Sequence, residues 1–438
     1  MMETILQLVV VFGAVAIGAR YKGMGLGIFG GLGLLILVVG FGIKPTSAPI
    51  DVMLILLAVV TASSVMYSAG GVDWMVRVAE RIIRANPKRV TFVAPLTMWF
   101  FAMLAGTGHI SYPLMPVIFE VAYNNGIRPE RAMTVANVAS MHAITASPVS
   151  AATAAILGLY AAQGYDVNLG KVLAVTVPAA LVGIFCASCV MYKKGKELKD
   201  DPEYLERLKA GLVNVPKTVE KAALPKSAAI SAWIFIIGVC IVVLSGFFPA
   251  LRTPLGATKP ISMAMFLQIF MLGIAGVILL VTKAKLNEAI NSPIMKAGVT
   301  AMIAVFGVAW LGDSFIAAHK AAWLATSKDF IQAHAWLFAV FLFFMASMLA
   351  SQAATIRAIM PLGLALGLPP GVLTGMLPSV NSTFFFPTSG TLIATIGFDQ
   401  TGTCKIGKYV LNHSFMLPGL VMTVCAVATG LVIQSFVF

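Results

Sequence analysis

The sequence predicts an all-α polytopic membrane protein with about ten transmembrane helices plus two re-entrant hairpins. Of its 438 residues, 59% are hydrophobic and 11% are charged, whereas a soluble domain carries about 25% charged residues. Residues 24–43, 51–69, 229–249 and 261–281 are almost free of charge. Each run has the roughly 20 residues that a helix needs to cross a bilayer. The lipid bilayer is therefore the first predicted partner.

The basic residues predict the orientation of the chain. The formal net charge is +13, and the Lys and Arg residues lie in short loops without interleaved aromatic residues. We therefore predict no nucleic-acid partner. If the N-terminus is outside, 23 of the 30 Lys and Arg residues fall on the inner side and 7 on the outer side. Because cytoplasmic loops are enriched in Lys and Arg, both termini are predicted to be periplasmic, in a bacterial inner membrane.

Three sequence features of the first half, which we call landmarks, recur in the second half at nearly the same spacing. They are Asp73 with Asp313 at 240 residues, the cluster Gly106–His109 with Ser351–Ala354 at 245, and Ser147–Ser150 with Phe386–Ser389 at 239. Three landmarks in order indicate an internal duplication. We therefore divide the chain into a first repeat at 1–192, a cytoplasmic linker at 193–228 and a second repeat at 229–438.

The predicted topology makes the two repeats inverted. Three spans precede Asp73 starting from outside, and three precede Asp313 starting from inside. Inverted repeats are typical of secondary transporters. Acidic residues near the membrane segments, Asp51 and Glu120, lie only at segment ends, and no metal-binding motif is found. We predict that the protein is not an enzyme and needs no metal or cofactor.

Two further features are predicted outside the spans. Each aspartate landmark is expected to begin an amphipathic helix at the membrane surface, over 72–90 in the first repeat and 313–332 in the second, where the carboxylate caps free N–H groups. The polar segment 193–228 is expected to be a solvated linker with a short helix near 200–210. Regulatory binding by this linker is the alternative.

Polar interruptions of apolar sequence give the main functional signal. Gly106–Ser111 is predicted to be the tip of a hairpin over 91–123 that enters from inside, and Ser351–Thr355 the tip of a hairpin over 335–366 that enters from outside. Thr145–Pro148 and Phe386–Thr391 break two further helices, over 131–163 and 371–398. At membrane depth, non-helical backbone is tolerated only where protein or a water-filled cavity surrounds it.

Broken helices direct free N–H groups and positive dipole ends toward the membrane midplane, which suits a small carboxylate. The hydroxyls expected to add donors belong to Thr107, Ser111, Ser147, Ser150, Thr355, Thr388, Ser389 and Thr391. The alternative is that these hydroxyls only satisfy hydrogen bonds between helices. His109, His142 and Arg357 are the side chains that can add positive charge, and an arginine at this depth is a functional candidate by default. Asn137 and Asn381 are weaker candidates.

Several long stretches resemble the anaerobic C4-dicarboxylate transporter (Dcu) family, nearest to its DcuA-like branch. They include AGTGHIS, ITASPVSAA, GVAWLGDSF, SQAATIRAIMPLGLALG and DQTGTCKIGKYVLNHSFMLPG. The resemblance implies exchange, uptake and efflux of fumarate, succinate, malate and aspartate. It also implies an elevator, in which a mobile module carries the substrate past a fixed scaffold.

The resemblance assigns substrate binding to the hairpin tips and helix breaks. The implied site residues are Thr107, Gly108, His109, Ser111, Ser147, Pro148, Ser150, Ser351, Gln352, Thr355, Arg357, Pro387, Thr388, Ser389 and Thr391. Two stretches depart from the DcuA-like branch, which has Asn at His109 and a PTYPT-like stretch at 387–391. As a hypothesis, protonation of His109 strengthens the binding of a dianion.

Other readings of the sequence stay open at this point. The cargo can be another small organic anion, such as a sugar acid or citrate, and a cation can drive symport of a dicarboxylate. In the elevator, the two hairpins and the two broken helices would move as one module. Residues 24–43, 51–69, 261–281 and 293–312 would form the static part, at the interface of an expected homodimer.

Overall fold

The computed structural model describes residues 2–21, 24–213, 223–349, 351–387, 389–409 and 411–438. These residues form α-helices and no strand. The helices are α1 (Met2–Tyr21), α2 (Gly25–Leu35), α3 (Ile50–Ser68), α4 (Gly71–Ala85), α5 (Val90–Ala105), α6 (Ser111–Asn124), α7 (Pro129–Thr145), α8 (Ala151–Ala162), α9 (Leu169–Met191), α10 (Pro202–Lys209), α11 (Lys226–Phe247), α12 (Met263–Thr282), α13 (Leu286–Ile290), α14 (Pro293–Ala333), α15 (Ala335–Leu349), α16 (Gln352–Ala365), α17 (Pro370–Gly375), α18 (Gly390–Phe398) and α19 (Met416–Val437).

Within the described ranges, five helices have the length and apolar character to cross a membrane. They are α9, α11, α12, the Pro293–His319 part of α14, and α19. The bent pair α3 and α4 is a sixth candidate, and four shorter apolar helices add to them. A multi-pass membrane protein is therefore supported. Several of the roughly ten expected spans are divided, because Gly and Pro residues interrupt them.

The predicted hairpins and broken helices all have counterparts in the structure. Helices α5 and α6 are joined by a tip at 106–110, and α15 and α16 meet near Ser351. The first broken helix consists of α7 and α8, and the second of α17, the 3₁₀ segment Leu377–Phe384 and α18. Helix α5 ends at Gly106, whose φ of +67° favours glycine. The local sequence therefore sets the chain breaks.

The central part of the fold pairs helices from the two halves of the chain. Helix α2 packs on α14, and α3 packs on α12 and α14. The contact between α2 and α14 is a backbone contact, because a β-carbon built on Gly307 would lie 1.8 Å from the carbonyl oxygen of Gly27. Small residues let membrane helices approach this closely. We call α2, α3, α12 and α14 the scaffold.

A second group of helices packs around the chain breaks. Helix α9 packs on α19, α5 on α7, and α15 on the 3₁₀ segment Leu377–Phe384. The second helix of each hairpin contacts the far half of a broken helix from the other half of the chain, α6 with α18 and α16 with α8. We call the hairpins, the broken helices, α9 and α19 the core module. Helix α16 joins this module to the scaffold through its contact with α14.

The first aspartate landmark is placed as predicted, and the second is not. Asp73 lies in the first turn of α4, which bends 74° away from α3. Asp313 instead lies inside the continuous helix α14, so the prediction of a separate helix beginning there is wrong. The physical reason is that Gly70, with φ of +84°, ends α3, whereas Gly312 stands alone and the helix continues through it.

The first part of the predicted linker is docked on the core module. Arg128, before α7, forms an ion pair with Asp201, before α10, and donates to Glu130 Oε2 at 2.8 Å. The backbone N–H of Glu130 in turn donates to Thr403 Oγ1 at 3.1 Å. Arg128, Glu130 and Asp201 are all buried. Residues 193–209 therefore bridge two loops of the core module. Residues 214–222 of the linker lie outside the described residues.

The charge cluster also changes the acidity of Asp201. Burial by itself raises the pKa of this carboxyl. The hydrogen bonds from the Arg128 guanidinium and the Tyr204 backbone N–H outweigh burial and hold the pKa below its usual range. Asp201 is therefore a carboxylate at neutral pH, and it balances the buried guanidinium.

The backbone contact between α2 and α14 predicts the effect of Gly307→Ala. The added methyl group would overlap the Gly27 backbone, so we expect the free energy of unfolding to fall by about 1–3 kcal/mol. Thermal unfolding of the purified protein in detergent measures this change. The matched control is Gly273→Ala in α12, where a β-carbon meets nothing within 4 Å. Equal melting temperatures for Gly307→Ala and the control would contradict the tight contact.

The docked linker predicts that Asp201→Asn exposes residues 193–212. Removing one partner of a buried ion pair leaves the other charge uncompensated, at a cost on the order of 3 kcal/mol. Trypsin cleaves the segment only after it has opened, so its cleavage rate follows the population of the open form. We therefore expect cleavage in this segment to accelerate on the order of 100-fold. The neighbouring Asp200 is exposed, so Asp200→Asn is the control and should cleave as the wild type does. Equal cleavage of both variants would contradict the docking.

Candidate substrate site

The tip of the first hairpin contacts both broken helices. A β-carbon built on Gly106 would lie 2.9 Å from the carbonyl oxygen of Val149, in the first break. One built on Gly390, at the start of α18, would lie 2.9 Å from the hydroxyl oxygen of Tyr112. The same tip approaches α7, because a β-carbon on Gly108 would lie 3.7 Å from Ser140 Oγ. Three of the four interruptions are therefore adjacent.

The tip of the second hairpin reaches the same region. Gln352 Nε2 donates to the carbonyl oxygen of Met141 in α7 at 3.4 Å. The two breaks are also joined directly, because Asn381 Nδ2 donates to Thr145 Oγ1 at 2.8 Å. All four interruptions predicted from the sequence thus meet around the C-terminal part of α7. The helices that begin at these interruptions are α6, α8, α16 and α18.

Several of the predicted hydroxyl donors hydrogen-bond to backbone groups at the breaks. Ser150 Oγ donates to the carbonyl oxygen of Ile144 at 2.5 Å, and Thr355 Oγ1 donates to that of Ser351 at 2.8 Å. Ser351 Oγ accepts from the N–H of Ala354 at 3.3 Å, and Ser147 Oγ accepts from Val149 at 3.3 Å. Ser150 and Thr355 thus use their protons within the protein. These bonds satisfy backbone groups that the breaks would otherwise leave free.

The remaining predicted residues differ in their surroundings. The hydroxyl of Ser111 is buried without a hydrogen-bond partner in the described structure. Ser389 Oγ and Thr391 Oγ1 lie 3.1 Å apart at the start of α18. Pro148 and Pro387 lie in the two breaks, as predicted. Thr388 lies outside the described residues.

The two histidine candidates lie in different places. His109 is exposed at the first tip, where its Nδ1 is 3.0 Å from Thr107 Oγ1 and its ring stacks on Tyr112. His142 is fully buried, and its Nε2 is 3.2 Å from Thr423 Oγ1 on α19. His109 is therefore accessible to a ligand. His142 packs between helices.

Arg357 is a buried basic residue on the second helix of the second hairpin. Its side chain is on α16, and the residue is 3% exposed. Its Nε and Nη2 atoms have no hydrogen-bond partner among the described residues. The other buried arginines differ in this respect, because Arg128 and Arg131 are paired with carboxylates. Arg357 can therefore offer two hydrogen bonds to a ligand.

The structure places two asparagines beside the chain breaks that were only weak site candidates from the sequence. Asn137 Nδ2 donates to Thr395 Oγ1 at 3.1 Å, and Asn381 Nδ2 donates to Thr145 Oγ1. Each threonine hydroxyl already donates to a carbonyl oxygen of its own segment, so it must accept from the asparagine. Both Oδ1 atoms are then left buried without a partner in the described structure. The signal in the sequence is the spacing of 244 residues between the two asparagines, which matches the spacing of the landmarks.

Comparison with known proteins places the chain in a family of carriers. Residues 3–438 match the family model described as anaerobic C4-dicarboxylate membrane transporter, so the chain belongs to this family. It is 38% identical to the C4-dicarboxylate transporter DcuA of Escherichia coli (strain K12), over 99% of each chain. It is 35% identical to the anaerobic C4-dicarboxylate transporter DcuB of Escherichia coli O6:H1, over 95% of each chain.

The fold is also similar to that of a solved transporter. The crystal structure of the YdaH transporter of Alcanivorax borkumensis superposes with a TM-score of 0.57 and covers 99% of this chain and 98% of its own. The sequences are 14% identical, so this likeness concerns the fold alone.

The hydrogen bond between Asn381 and Thr145 predicts a coupling between the two breaks. Asn381→Ala and Thr145→Val each remove one partner, and a buried group left unpaired costs about 1–3 kcal/mol. The double variant should therefore be more stable than the sum of the single changes predicts, by on the order of 1 kcal/mol. Thermal unfolding of the four proteins measures the difference. Additive effects would show that this contact does not join the breaks.

Proposed function

We propose that the chain exchanges C4-dicarboxylates, such as fumarate, succinate, malate and aspartate, across a bacterial inner membrane. The observation that carries this proposal is Arg357, a buried arginine whose Nε and Nη2 lack partners in the described structure. Buried guanidinium nitrogen atoms without hydrogen-bond acceptors are costly. A carboxylate is the partner that a guanidinium binds best, through two parallel hydrogen bonds.

The second carboxylate of the substrate is assigned to the helix ends around α7. Helices α6, α8, α16 and α18 all begin at the interruptions that meet there. The N-terminus of a helix carries a partial positive charge and free N–H groups, so it attracts anions. Ser111 adds a buried hydroxyl that has no hydrogen-bond partner among the described residues. One guanidinium and several helix ends together suit a dianion of about four carbons.

The names of the relatives support the cargo at the level of its chemical class. DcuA and DcuB of Escherichia coli, which match nearly the whole chain, are C4-dicarboxylate transporters by name. The sugar acid or citrate considered from the sequence would need more fixed positive charge than Arg357 and His109 supply. We therefore assign the four-carbon acids to this chain.

We assign an elevator mechanism to the two groups of helices. When the second half of the chain is aligned with the first, α12 matches α2 and α14 matches α3. The contact of α2 with α14 then corresponds to the contact of α12 with α3. The contacts of α16 with α8 and of α6 with α18 correspond in the same way. This pattern supports two inverted repeats, with the scaffold as the static part and the core module as the moving part. A homodimer through the scaffold and periplasmic termini complete the proposal.

Counterflow in proteoliposomes tests the proposed function. Vesicles are loaded with succinate, and labelled fumarate or aspartate is added outside, with and without a sodium gradient. We expect uptake that requires the internal dicarboxylate and does not respond to sodium. Uptake driven by sodium alone would indicate symport, and no uptake of any four-carbon acid would overturn the assignment of the cargo.

The same assay tests the role of Arg357. The variant Arg357→Gln keeps much of the side-chain volume and removes the charge, so we expect counterflow to fall at least about 100-fold, as for a lost charged hydrogen-bond pair. The control is Arg89→Gln, because Arg89 is exposed outside the site. Full counterflow in Arg357→Gln, in protein that elutes as the wild type does, would remove Arg357 from the site.

A further inference from the structure

Arg357 and Asp313 lie on opposite sides of the boundary between the scaffold and the core module. Asp313 is on α14, less than two turns beyond Gly307, where α14 is held against the α2 backbone. Arg357 is on α16, whose other neighbours include α8 and α15 in the core module. The two helices approach closely at this point, because a β-carbon on Gly312 would lie 3.7 Å from the carbonyl oxygen of Ala358.

The two side chains attract each other without direct contact at the buried nitrogen atoms. The Asp313 carboxylate acts electrostatically on the Arg357 guanidinium, and the guanidinium acts on the carboxylate. Nevertheless, Nε and Nη2 of Arg357 have no hydrogen-bond partner in the described structure. Asp313 therefore acts on the charge of Arg357, while these two nitrogen donors stay unused within the described structure.

Burial strengthens the interaction between the two charges. Arg357 is 3% exposed, and the sequence neighbours of the pair, Gly312 and Ala358, line an apolar groove between α1, α14, α15 and α16. Apolar surroundings screen charges less than water does, so the interaction between two charges is larger there.

We propose that Asp313 couples movement of the core module to occupancy of the substrate site. This inference rests on the proposed exchange of dicarboxylates. An empty site carries the positive charge of Arg357, and Asp313 attracts it. A bound dianion makes the net charge of the site negative, and Asp313 then repels it. Asp313 thus retains the empty module and releases the loaded one.

This reversal of sign has a direct consequence for transport. Return of the empty module requires that Arg357 be separated from Asp313, whereas the loaded module moves without that cost. Net flux needs the return of an empty module and is therefore slow. Exchange returns a loaded module and is therefore fast. Asp313 is a positioning residue in this account, because it acts on the substrate through Arg357 and needs no contact with the substrate itself.

The test compares two fluxes in the same proteoliposomes, loaded with labelled succinate. Counterflow with external fumarate measures exchange, and efflux into substrate-free buffer measures the empty return. For Asp313→Asn, we expect counterflow within about two-fold of the wild type and substrate-free efflux that rises roughly ten-fold, the effect of losing about 1.4 kcal/mol of attraction. The ratio of the two fluxes is the readout, because a structural defect alone would lower both.

Two further variants serve as controls. Asp313→Glu keeps the charge and should retain a low efflux, and this comparison applies even if the Asn variant does not fold. Asp73→Asn makes the same change at the matching landmark of the first half, where the side chain is exposed, and should leave both fluxes unchanged.

The outcomes separate this inference from the proposed function. Wild-type vesicles without counterflow would overturn the proposed function itself. Normal wild-type counterflow, with Asp313→Asn unchanged in efflux or reduced equally in both fluxes, would overturn the coupling role alone. Leaky efflux in Asp313→Glu equal to that of Asp313→Asn would also overturn it, since the charge would then not matter.

Discussion

The fold depends on how it satisfies backbone groups at four chain breaks inside an apolar helical protein. An unpaired N–H or carbonyl group in a bilayer costs several kcal/mol, so each break must find partners in the protein. The structure supplies them locally, through side chains such as Ser150 and Ser351 that bond to the backbone beside the breaks. It also packs the four breaks against one another around α7. Because the breaks meet, the helices that begin at them start close together, and the proposed anion site lies where they meet.

Two helices of the scaffold, α2 and α14, approach each other through glycine backbones at Gly27 and Gly307. The core module contacts the scaffold where α16 packs on α14 and where α8 packs on α3. Gly312 and Ala358 lie close together at the boundary between α14 and α16, and Asp313 and Arg357 are their neighbours in the sequence. In the proposed elevator, the two groups of helices would move relative to each other at this boundary.

Local sequence predicted the breaks well, and long-range structure less well. Clusters of Gly, Pro and Ser within apolar sequence interrupt helices for local reasons, so the tip predicted at 106–111 agrees with the observed end of α5 at Ala105. The prediction that a helix begins at Asp313 was wrong because Gly312 continues the helix α14, whereas Gly70, with its positive φ, ends the preceding helix before Asp73. Both cases contain a Gly next to or near an Asp, and only the structure shows which helix continues.

Contacts between distant segments could not be predicted from spacing. The docking of residues 193–209 depends on the ion pair between Arg128 and Asp201, 73 residues apart. In the site, the sequence identified which segments meet, but it could not show that Ser150 and Thr355 donate to backbone carbonyl oxygens. It also could not show that Arg357 is buried with two nitrogen atoms that lack hydrogen-bond partners among the described residues, because that depends on the packing of α16 against α8 and α14.

An experimental structure of the protein with bound fumarate tests most directly whether Arg357 anchors the substrate. We expect one carboxylate within hydrogen-bond distance of Arg357 Nε and Nη2, and the other near the N-termini of the helices that begin at the chain breaks. Fumarate bound elsewhere, with Arg357 in a direct ion pair with Asp313, would contradict this role, because Arg357 would then be a structural residue and not the anchor of the substrate.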